Sequence, residues 1–235
     1  KDLTAELLRD AEINCFVSRN LMDVSDRIGP GNKTVLYNGC DERFVRYPED
    51  GRAELRRELG VQGKKVVTFA GNLLSVKNPE SLPGIFHEVH RLFHGDVEFW
   101  VVGDGRLRST IEAQINADST LSCRFWGNMP PERMPEIFNC TDVLVLPSKN
   151  EGLPLVIVEA VRCGACVVAS MVGGVPEVLD QKFAVELDEN FTARMAEKIV
   201  DCLEGEPQSL DLDKFDWRRT VKEEMRIIEK IAGNS

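Results

Sequence analysis

The order in which apolar runs and amphipathic stretches follow one another constrains the fold of this chain most strongly. Short runs rich in β-branched residues alternate with stretches of helical period, as where Lys65–Ala70 is followed by Pro79–Phe93. Strands and helices that alternate in this way are typical of βαβ units, whose strands lie parallel in one sheet. We see no boundary that would divide the chain. The sequence therefore predicts an α/β fold, a doubly wound parallel sheet of Rossmann-like type over residues 1–235.

The individual elements follow from the same pattern. The predicted strands are Ile13–Val17, Thr34–Tyr37, Lys65–Ala70, Val97–Val102, Cys123–Trp126, Asp142–Leu146, Cys166–Ser170 and, with the weakest pattern, Phe183–Val185. The predicted helices are Asn20–Ile28, Glu49–Leu59, Pro79–Phe93, Leu107–Ile115, Pro131–Phe138, Leu155–Cys163, Thr192–Leu203 and Trp217–Ile231, the last within a C-terminal helical segment, 215–232.

Charge and cysteine usage exclude some classes of protein. With 29 basic and 39 acidic residues the net charge is −10, and such a surface repels nucleic acid and anionic lipid heads. We therefore expect no nucleic-acid partner, and any membrane contact would come from a part of the protein outside this chain. The seven cysteines are dispersed and mostly lie in apolar segments, which predicts reduced, buried thiols and a cytoplasmic location.

Glycine-containing turns follow four of the predicted strands. They are Gly71–Asn72, Gly103–Gly105, Gly127–Asn128 and Gly173–Gly174. Each glycine taken alone is explained by a tight turn, and no G-x-G-x-x-G fingerprint is present. Four such turns at one edge of a parallel sheet favour a phosphate ligand, because glycine lets backbone N–H groups approach an anion and helix N-termini carry partial positive charge.

Two glutamates, Glu151 and Glu159, carry the sharpest chemical signal. Glu159 lies within an otherwise apolar helix start, where a carboxylate is costly to bury without partners. A ribose diol, with two O–H donors, is one suitable partner, and a lysine or arginine elsewhere in the chain is the other. Glu151 lies in the loop before the helix, where it can face a sugar.

Glu151 and Glu159 resemble the E-x7-E motif of family-4 retaining glycosyltransferases of the GT-B type. Other segments resemble that family as well: Tyr37–Asp41 with Phe44, Val102–Gly105 with Leu107 and Arg108, Phe125 with Gly127, Pro147 and Ser148, Gly152–Pro154, Ala160, Gly164, Val167–Ser170 and Gly173–Val178. The resemblance spans about Val17 to Leu179. It implies that the chain is the nucleotide-sugar-binding, C-terminal half of such an enzyme, without the N-terminal acceptor-binding domain.

The resemblance also implies a role for each matched residue. The predicted donor-binding residues are Gly71, Asn72, Lys77, Gly103, Gly127, Asn128, Glu151, Gly152, Leu153, Leu155 and Glu159. Glu159 would hold the ribose hydroxyls, while Gly127 and Asn128 would border the base. Lys77 would pair with the diphosphate and Glu151 would meet the donor sugar, so both are predicted catalytic residues. The implied reaction is hexose transfer from a UDP- or GDP-sugar without a metal or other cofactor.

Departures from the family pattern keep a second hypothesis open. Asn72 stands where the family usually has arginine, and an amide supplies neither charge nor a bidentate fork. Cys166 and Tyr37 each stand where the family has proline. Because the acceptor half is also absent, the alternative is a non-catalytic nucleotide-sugar-binding subunit that needs a partner chain. On either hypothesis we expect this chain alone to be inactive, and the full enzyme to work at the cytosolic face of a membrane or in the cytoplasm.

Two further patterns allow a metal or redox interpretation. His87, His90 and His94 are spaced along one predicted helix so that a metal could meet them, although a solvated or packing face explains them better. Cys163 and Cys166 form a C-x-x-C pair. Here the pair joins a helix end to a strand start, the reverse of the thioredoxin arrangement, which favours core packing.

Overall fold

Six parallel strands form the central sheet of the computed structural model, which describes residues 3–205, 208 and 210–233. In chain order the strands of the protein are β1 (Asn14–Phe16), β2 (Lys33–Val35), β3 (Lys65–Ala70), β4 (Val97–Val102), β5 (Cys123–Gly127), β6 (Val143–Leu146), β7 (Cys166–Ser170) and β8 (Ala184–Val185). The central sheet has the order β5-β4-β3-β6-β7-β8. Strand order therefore reverses between β3 and β6, which is where doubly wound sheets bind ligands.

Nine helices connect or flank the strands within these described residues. They are α1 (Leu3–Asp10), α2 (Arg19–Asp26), α3 (Glu49–Glu58), α4 (Leu82–Leu92), α5 (Arg108–Asn116), α6 (Met134–Cys140), α7 (Leu155–Arg162), α8 (Phe191–Glu204) and α9 (Trp217–Gly233). Eight of them match the predicted helices, whereas α1 has no counterpart in the sequence analysis. The predicted starts at Pro79 and Pro131 are one turn too early, because a 3-10 turn precedes the α-helix at both places. In the described ranges no helix is long and apolar enough to cross a bilayer.

Burial on both faces of the sheet explains why its strands are almost wholly apolar. Every residue of β4 and β7 is buried, as expected for parallel strands that helices cover from both sides. On one face α4 and α8 pack over the sheet, and Phe86 stacks on Phe99 with ring centroids 4.3 Å apart. On the other face α6 and α7 enclose Trp100 and Phe138. The helices thus fix the carboxyl ends of the strands as one rigid edge.

The first two strands do not join this sheet. β1 and β2 pair with each other, in parallel, to form a separate two-stranded sheet. The prediction of one sheet over the whole chain is wrong for these residues. Short strands of the same alternating pattern pair wherever a partner edge is available, so periodicity alone does not assign them to a sheet.

Candidate functional site

The turns at the carboxyl ends of β3, β4 and β5 are hydrogen-bonded to one another. The Gly71 N–H donates to the Val102 carbonyl at 3.0 Å, and the Gly103 N–H donates to the Gly127 carbonyl at 2.7 Å. Gly103 has a φ of +122°, and a Cβ there would lie 2.1 Å from the Gly71 carbonyl oxygen. Only glycine permits this approach, which brings three strand ends to one edge.

A cavity of about 410 Å³ opens where the strand order reverses. Eight of the eleven predicted donor-binding residues line it: Gly71, Asn72, Lys77, Gly103, Asn128, Glu151, Leu153 and Leu155. Its other walls are Ala70, Val102, Met129, Met134, Pro154 and Val156. The remaining predicted residues, Gly127, Gly152 and Glu159, do not belong to this lining. The sequence analysis missed Met129, Met134 and Val156.

Lys77 and Glu151 form an ion pair at the wall of this cavity. Lys77 ends a 3-10 turn, Ser75–Lys77, and its Nζ lies 2.7 Å from Glu151 Oε1 and 3.0 Å from Oε2. Glu151 is only 7% exposed, and it also accepts a hydrogen bond of 2.6 Å from the buried hydroxyl of Ser148. A carboxylate so enclosed needs both partners, since an unpaired buried charge is strongly destabilising.

The turn after β7 packs against the loop that carries Glu151 and is hydrogen-bonded to it. The Gly174 N–H donates to the Glu151 carbonyl at 3.1 Å, and a Cβ on Gly173 would lie 1.9 Å from the same oxygen. Ser170, at the end of β7, donates its hydroxyl to the Ser148 carbonyl. The glycines of this turn therefore position the loop, and the sequence analysis placed them among anion-binding turns instead.

Unpaired backbone donors meet the cavity at the start of α7. The first intrahelical bond of this helix runs from the Ile157 N–H to the Pro154 carbonyl, at 3.0 Å. The N–H groups of Leu155 and Val156 precede that bond, and both residues line the cavity. A helix N-terminus of this kind attracts anions such as phosphate.

Glu159 lies one turn further along α7 with its carboxylate unpartnered. No hydrogen bond or ion pair reaches it from the residues that the structure describes. Burial, assisted by the negative charge of Asp41, raises the pKa of Glu159 to about 7. The alternative that Glu159 is neutralised by a lysine or arginine therefore fails within the described chain, and its carboxylate stays available for a hydroxyl-bearing ligand.

Three of the predicted donor-binding residues differ in how they lie relative to the cavity. They are Gly127, Gly152 and Asn72. Gly127 has a φ of +66° and its carbonyl is occupied by Gly103, so it shapes the turn. Gly152 faces away from the cavity, because a Cβ there would lie 3.3 Å from Leu21 of α2. Asn72 is exposed at the cavity mouth. None of these three supplies a positive charge, so among the residues that the structure describes Lys77 is the cation in the cavity lining.

A larger cavity, of about 540 Å³, opens elsewhere in the molecule. It lies between the segment Gly39–Glu42 and the start of α9, and Arg162, Asp216 and Trp217 border it. Arg162 there lies 3.7 Å from Asp216, so its charge is already opposed. The smaller cavity is the better candidate site because it combines strand ends, a helix N-terminus and a buried carboxylate.

The histidine pattern does not assemble a metal site. His87 Nδ1 lies 2.8 Å from Asp118 Oδ2, a carboxylate partner that the sequence analysis did not identify. Among the residues described here, no three histidine, cysteine, aspartate or glutamate side chains come close enough to hold a metal ion.

Glu177 connects the turn after β7 to the β1–β2 region. Its carboxylate accepts hydrogen bonds from the backbone N–H groups of Arg19 and Asn20 and from the Tyr37 hydroxyl, each at 2.9 Å. The first two lie at the N-terminus of α2, where a carboxylate is stabilising.

We expect Glu177→Ala to lower the free energy of unfolding by about 1–2 kcal/mol, because it leaves two helix N-terminal donors without their acceptor. Tyr37→Phe, which removes only one of the three bonds, should cost less. Urea unfolding measures both, with the exposed Glu189→Ala as control. Equal stability of Glu177→Ala and the control would contradict the role assigned to this carboxylate.

Residues 64–205 match the family described as "Glycosyl transferases group 1". This range covers more than half of the chain and contains every residue of the cavity. The chain belongs to the group 1 glycosyl transferases. Its cavity thus lies at the strand-order reversal of a glycosyl transferase domain.

Known proteins agree with this assignment. The group 1 domain is 32% identical over 211 residues to a D-inositol 3-phosphate glycosyltransferase of Segniliparus rotundus, covering 82% of this chain and 45% of that protein. It is 25% identical to the phosphatidylinositol N-acetylglucosaminyltransferase GPI3 subunit of Saccharomyces cerevisiae, covering 91% of this chain and 49% of the subunit. The chain spans about half the length of the curated relatives that it matches.

A solved structure shows the same fold. Anabaena Alr3699/HepE, crystallised in complex with UDP and glucose, superposes with a TM-score of 0.75 at 22% identity, covering 97% of this chain and 65% of that one. The six-stranded sheet of the group 1 domain is therefore that of a GT-B glycosyltransferase, as the resemblance implied.

Proposed function

We propose that this domain binds a nucleoside diphosphate sugar, a UDP- or GDP-hexose, and forms the donor half of a retaining family-4 glycosyltransferase. The convergence of an ammonium group, a helix N-terminus and a buried carboxylate on one cavity carries the proposal. These groups match the parts of such a ligand, which has two phosphates, a ribose diol and a sugar. The UDP and glucose bound to the Anabaena protein of the same fold support this ligand class.

Each part of the donor has a proposed contact. The phosphates meet Lys77 Nζ and the first turn of α7, where positive charge is concentrated. The ribose hydroxyls donate to the Glu159 carboxylate, which has no other partner in the described chain. The base lies at the turn of Gly127 and Asn128, beside Met129. The hexose meets Glu151, whose orientation is fixed by Lys77 and Ser148.

The proposed transfer breaks the bond between the anomeric carbon and the diphosphate oxygen. The acceptor oxygen forms the new bond on the same face, and its proton passes to the departing phosphate. Lys77 and the α7 N-terminus stabilise the charge that develops on that phosphate, the term that is usually largest in such reactions. Glu151 serves as a hydroxyl ligand and not as a nucleophile, since both of its oxygens already engage Lys77. No metal is required by this scheme.

The acceptor and any partner belong to parts of the protein outside this chain. The relatives are about twice as long, so we propose that a second α/β domain supplies the acceptor site. The alternative is that this domain is one subunit of an assembly and binds the donor without turnover. The similarity to a protein named as a subunit favours keeping that alternative. We place the enzyme in the cytoplasm or at the cytosolic face of a membrane.

Calorimetry with UDP, GDP and ADP, each with and without an attached hexose, tests the proposal. We expect one base to be preferred, and the hexose to add affinity through Glu151. If the folded protein binds none of them at about millimolar concentration, which corresponds to roughly 4 kcal/mol of binding free energy, the donor-site proposal fails. The partner-dependent subunit then becomes the leading hypothesis.

A further inference from the structure

The C-x-x-C pair of the sequence is separated by the fold. Cys163 is fully buried and packs in the core on the α6–α7 face of the sheet, whereas Cys166 packs in the core on the α8 face. Burial raises the pKa of Cys163 to about 12, which describes an inert core thiol. The redox interpretation therefore fails for this pair.

Cys166 has a different partner, Cys202 of α8. Both cysteines line one cavity, and α8 packs against β7, the strand that Cys166 begins. Cys166 is 5% exposed and Cys202 is half-buried.

A small cavity of about 290 Å³ gives solvent molecules access to both sulfurs. Its lining combines the two cysteines with Lys182, Lys198 and Asp201. A thiol becomes reactive when nearby positive charge and hydrogen-bond donors stabilise its thiolate, and when it can be reached. The lysines and the neighbouring thiol supply the first condition, and the cavity supplies the second.

The two thiols are unequal, which suits a pair with one attacking and one resolving sulfur. The neighbouring Cys202 thiol, with further help from backbone donors and Lys182, lowers the pKa of Cys166 against the opposing effect of burial. The proximity of Cys166 and burial raise the pKa of Cys202. Cys166 is therefore the more readily ionised thiol of the two.

We propose that Cys166 and Cys202 form a redox-modification site, in which a hydroperoxide converts the thiol pair into a disulfide that joins β7 to α8. The Cys166 thiolate attacks the peroxide, so that an S–O bond forms, the O–O bond breaks and hydroxide departs. The Cys202 sulfur then attacks the sulfenic sulfur. The S–S bond forms, the S–O bond breaks, and the oxygen leaves as water with the Cys202 proton. The thiols lose two electrons, the peroxide gains two, and a dithiol reverses the reaction. This inference is independent of the proposed function.

Hydrogen peroxide and non-reducing peptide mapping test the proposal. After treatment, free thiols are blocked with iodoacetamide, the protein is digested, and cross-linked peptides are identified by mass spectrometry. We expect a peptide that joins Cys166 to Cys202 and disappears with dithiothreitol. Cys163→Ser should keep this link and Cys202→Ser should lose it. Cys15, which is exposed, reports that the oxidant reached the protein.

Two results would overturn the site. One is a link between Cys163 and Cys166; the other is full alkylation of both Cys166 and Cys202 after Cys15 has been oxidised. A second measurement does not depend on the cross-link. The rate of iodoacetamide alkylation at Cys166 should have its pH midpoint at lower pH in the native protein than in Cys202→Ala, because Cys202 lowers the pKa of Cys166. An unchanged midpoint would exclude the thiol pair.

Discussion

The Glu159→Gln variant is expected to be more stable than the native protein above pH 7 and, at the same pH, to bind nucleoside diphosphates more weakly. Burial, with the charge of Asp41, raises the pKa of Glu159 from 4.5 to about 7. The folded protein thus disfavours the ionised carboxylate, and a neutral amide relieves that cost. The same amide loses the charge that would accept two ribose hydroxyls.

The sign of the pH dependence follows from proton linkage. Between pH 4.5 and 7 the folded state holds a proton at Glu159 that the unfolded state has released, so stability falls as pH rises through this window. Below pH 4.5 Glu159 is protonated in both the folded and the unfolded state, and above pH 7 the free energy of unfolding has fallen by its full amount. A difference of this size in pKa corresponds to at most about 3.4 kcal/mol. Urea unfolding at pH 5 and pH 8 measures the effect, with the exposed helical Glu197→Gln as the matched control.

Nucleotide-binding measurements on Glu159→Gln test whether this carboxylate contacts the ribose. Hydrogen bonds to a charged group contribute about 1.5–3 kcal/mol each, so Glu159→Gln should weaken ribonucleotide binding at least tenfold. A 2′-deoxynucleotide should lose less, because it offers the carboxylate only one hydroxyl. Native-protein affinity should itself rise as pH increases through 7. If ribo- and deoxyribonucleotides respond equally, Glu159 does not contact the ribose.

Lys77→Met is expected to lower the free energy of unfolding by about 3–5 kcal/mol, the usual cost of removing one partner from a buried ion pair. Glu151 is 7% exposed and, among the described residues, would keep only the Ser148 hydroxyl as a side-chain partner. The variant Lys149→Met is the matched control, because Lys149 is an exposed lysine of the loop that carries Glu151. The double variant Lys77→Met/Glu151→Gln should recover most of the lost stability.

The double variant also separates folding from binding. It contains no unpaired charge, so it should be folded, yet it lacks the cation proposed for the diphosphate. Its affinity for a nucleoside diphosphate should fall by at least tenfold, while a nucleoside without phosphates binds as before. Unchanged diphosphate affinity in the folded double variant would remove Lys77 from the donor site.

The sequence predicted the buried strands better than the peripheral ones. The bounds of β3, β4 and β7 agree with the prediction to the residue, because long runs of branched residues occur where both faces of a strand are covered. The three-residue strands β1 and β2 carry the same alternation but no information on which edge they pair with. Helix α1 was missed although it is amphipathic, and its Leu3 and Leu7 remain exposed.

The lining residues with unusual chemistry were predicted from their types, whereas Lys77, Leu153 and Leu155 were predicted only through the family resemblance. Glycine and glutamate at the strand ends were recognisable, whereas Met129, Met134 and Val156 are indistinguishable in sequence from core residues. The pairing of Lys77 with Glu151 joins positions 74 residues apart, so no local spacing contains it. Whether Glu159 has a cationic partner was also a question of tertiary structure, and the absence of one in the described chain decided it.

The smallest piece that folds with an intact binding loop is larger than the segment by which the family is defined. The family match begins at residue 64, yet Leu21 packs against Gly152 and the backbone of Arg19 and Asn20 holds Glu177. Truncation to the matched segment would therefore remove residues that pack against the loop of Glu151 and the turn after β7, although every residue of the cavity would remain. A segment cut at the bounds of the family match is expected to keep the cavity residues but to hold the loop of Glu151 less firmly. Residues 14–36 should therefore be kept when the domain is shortened.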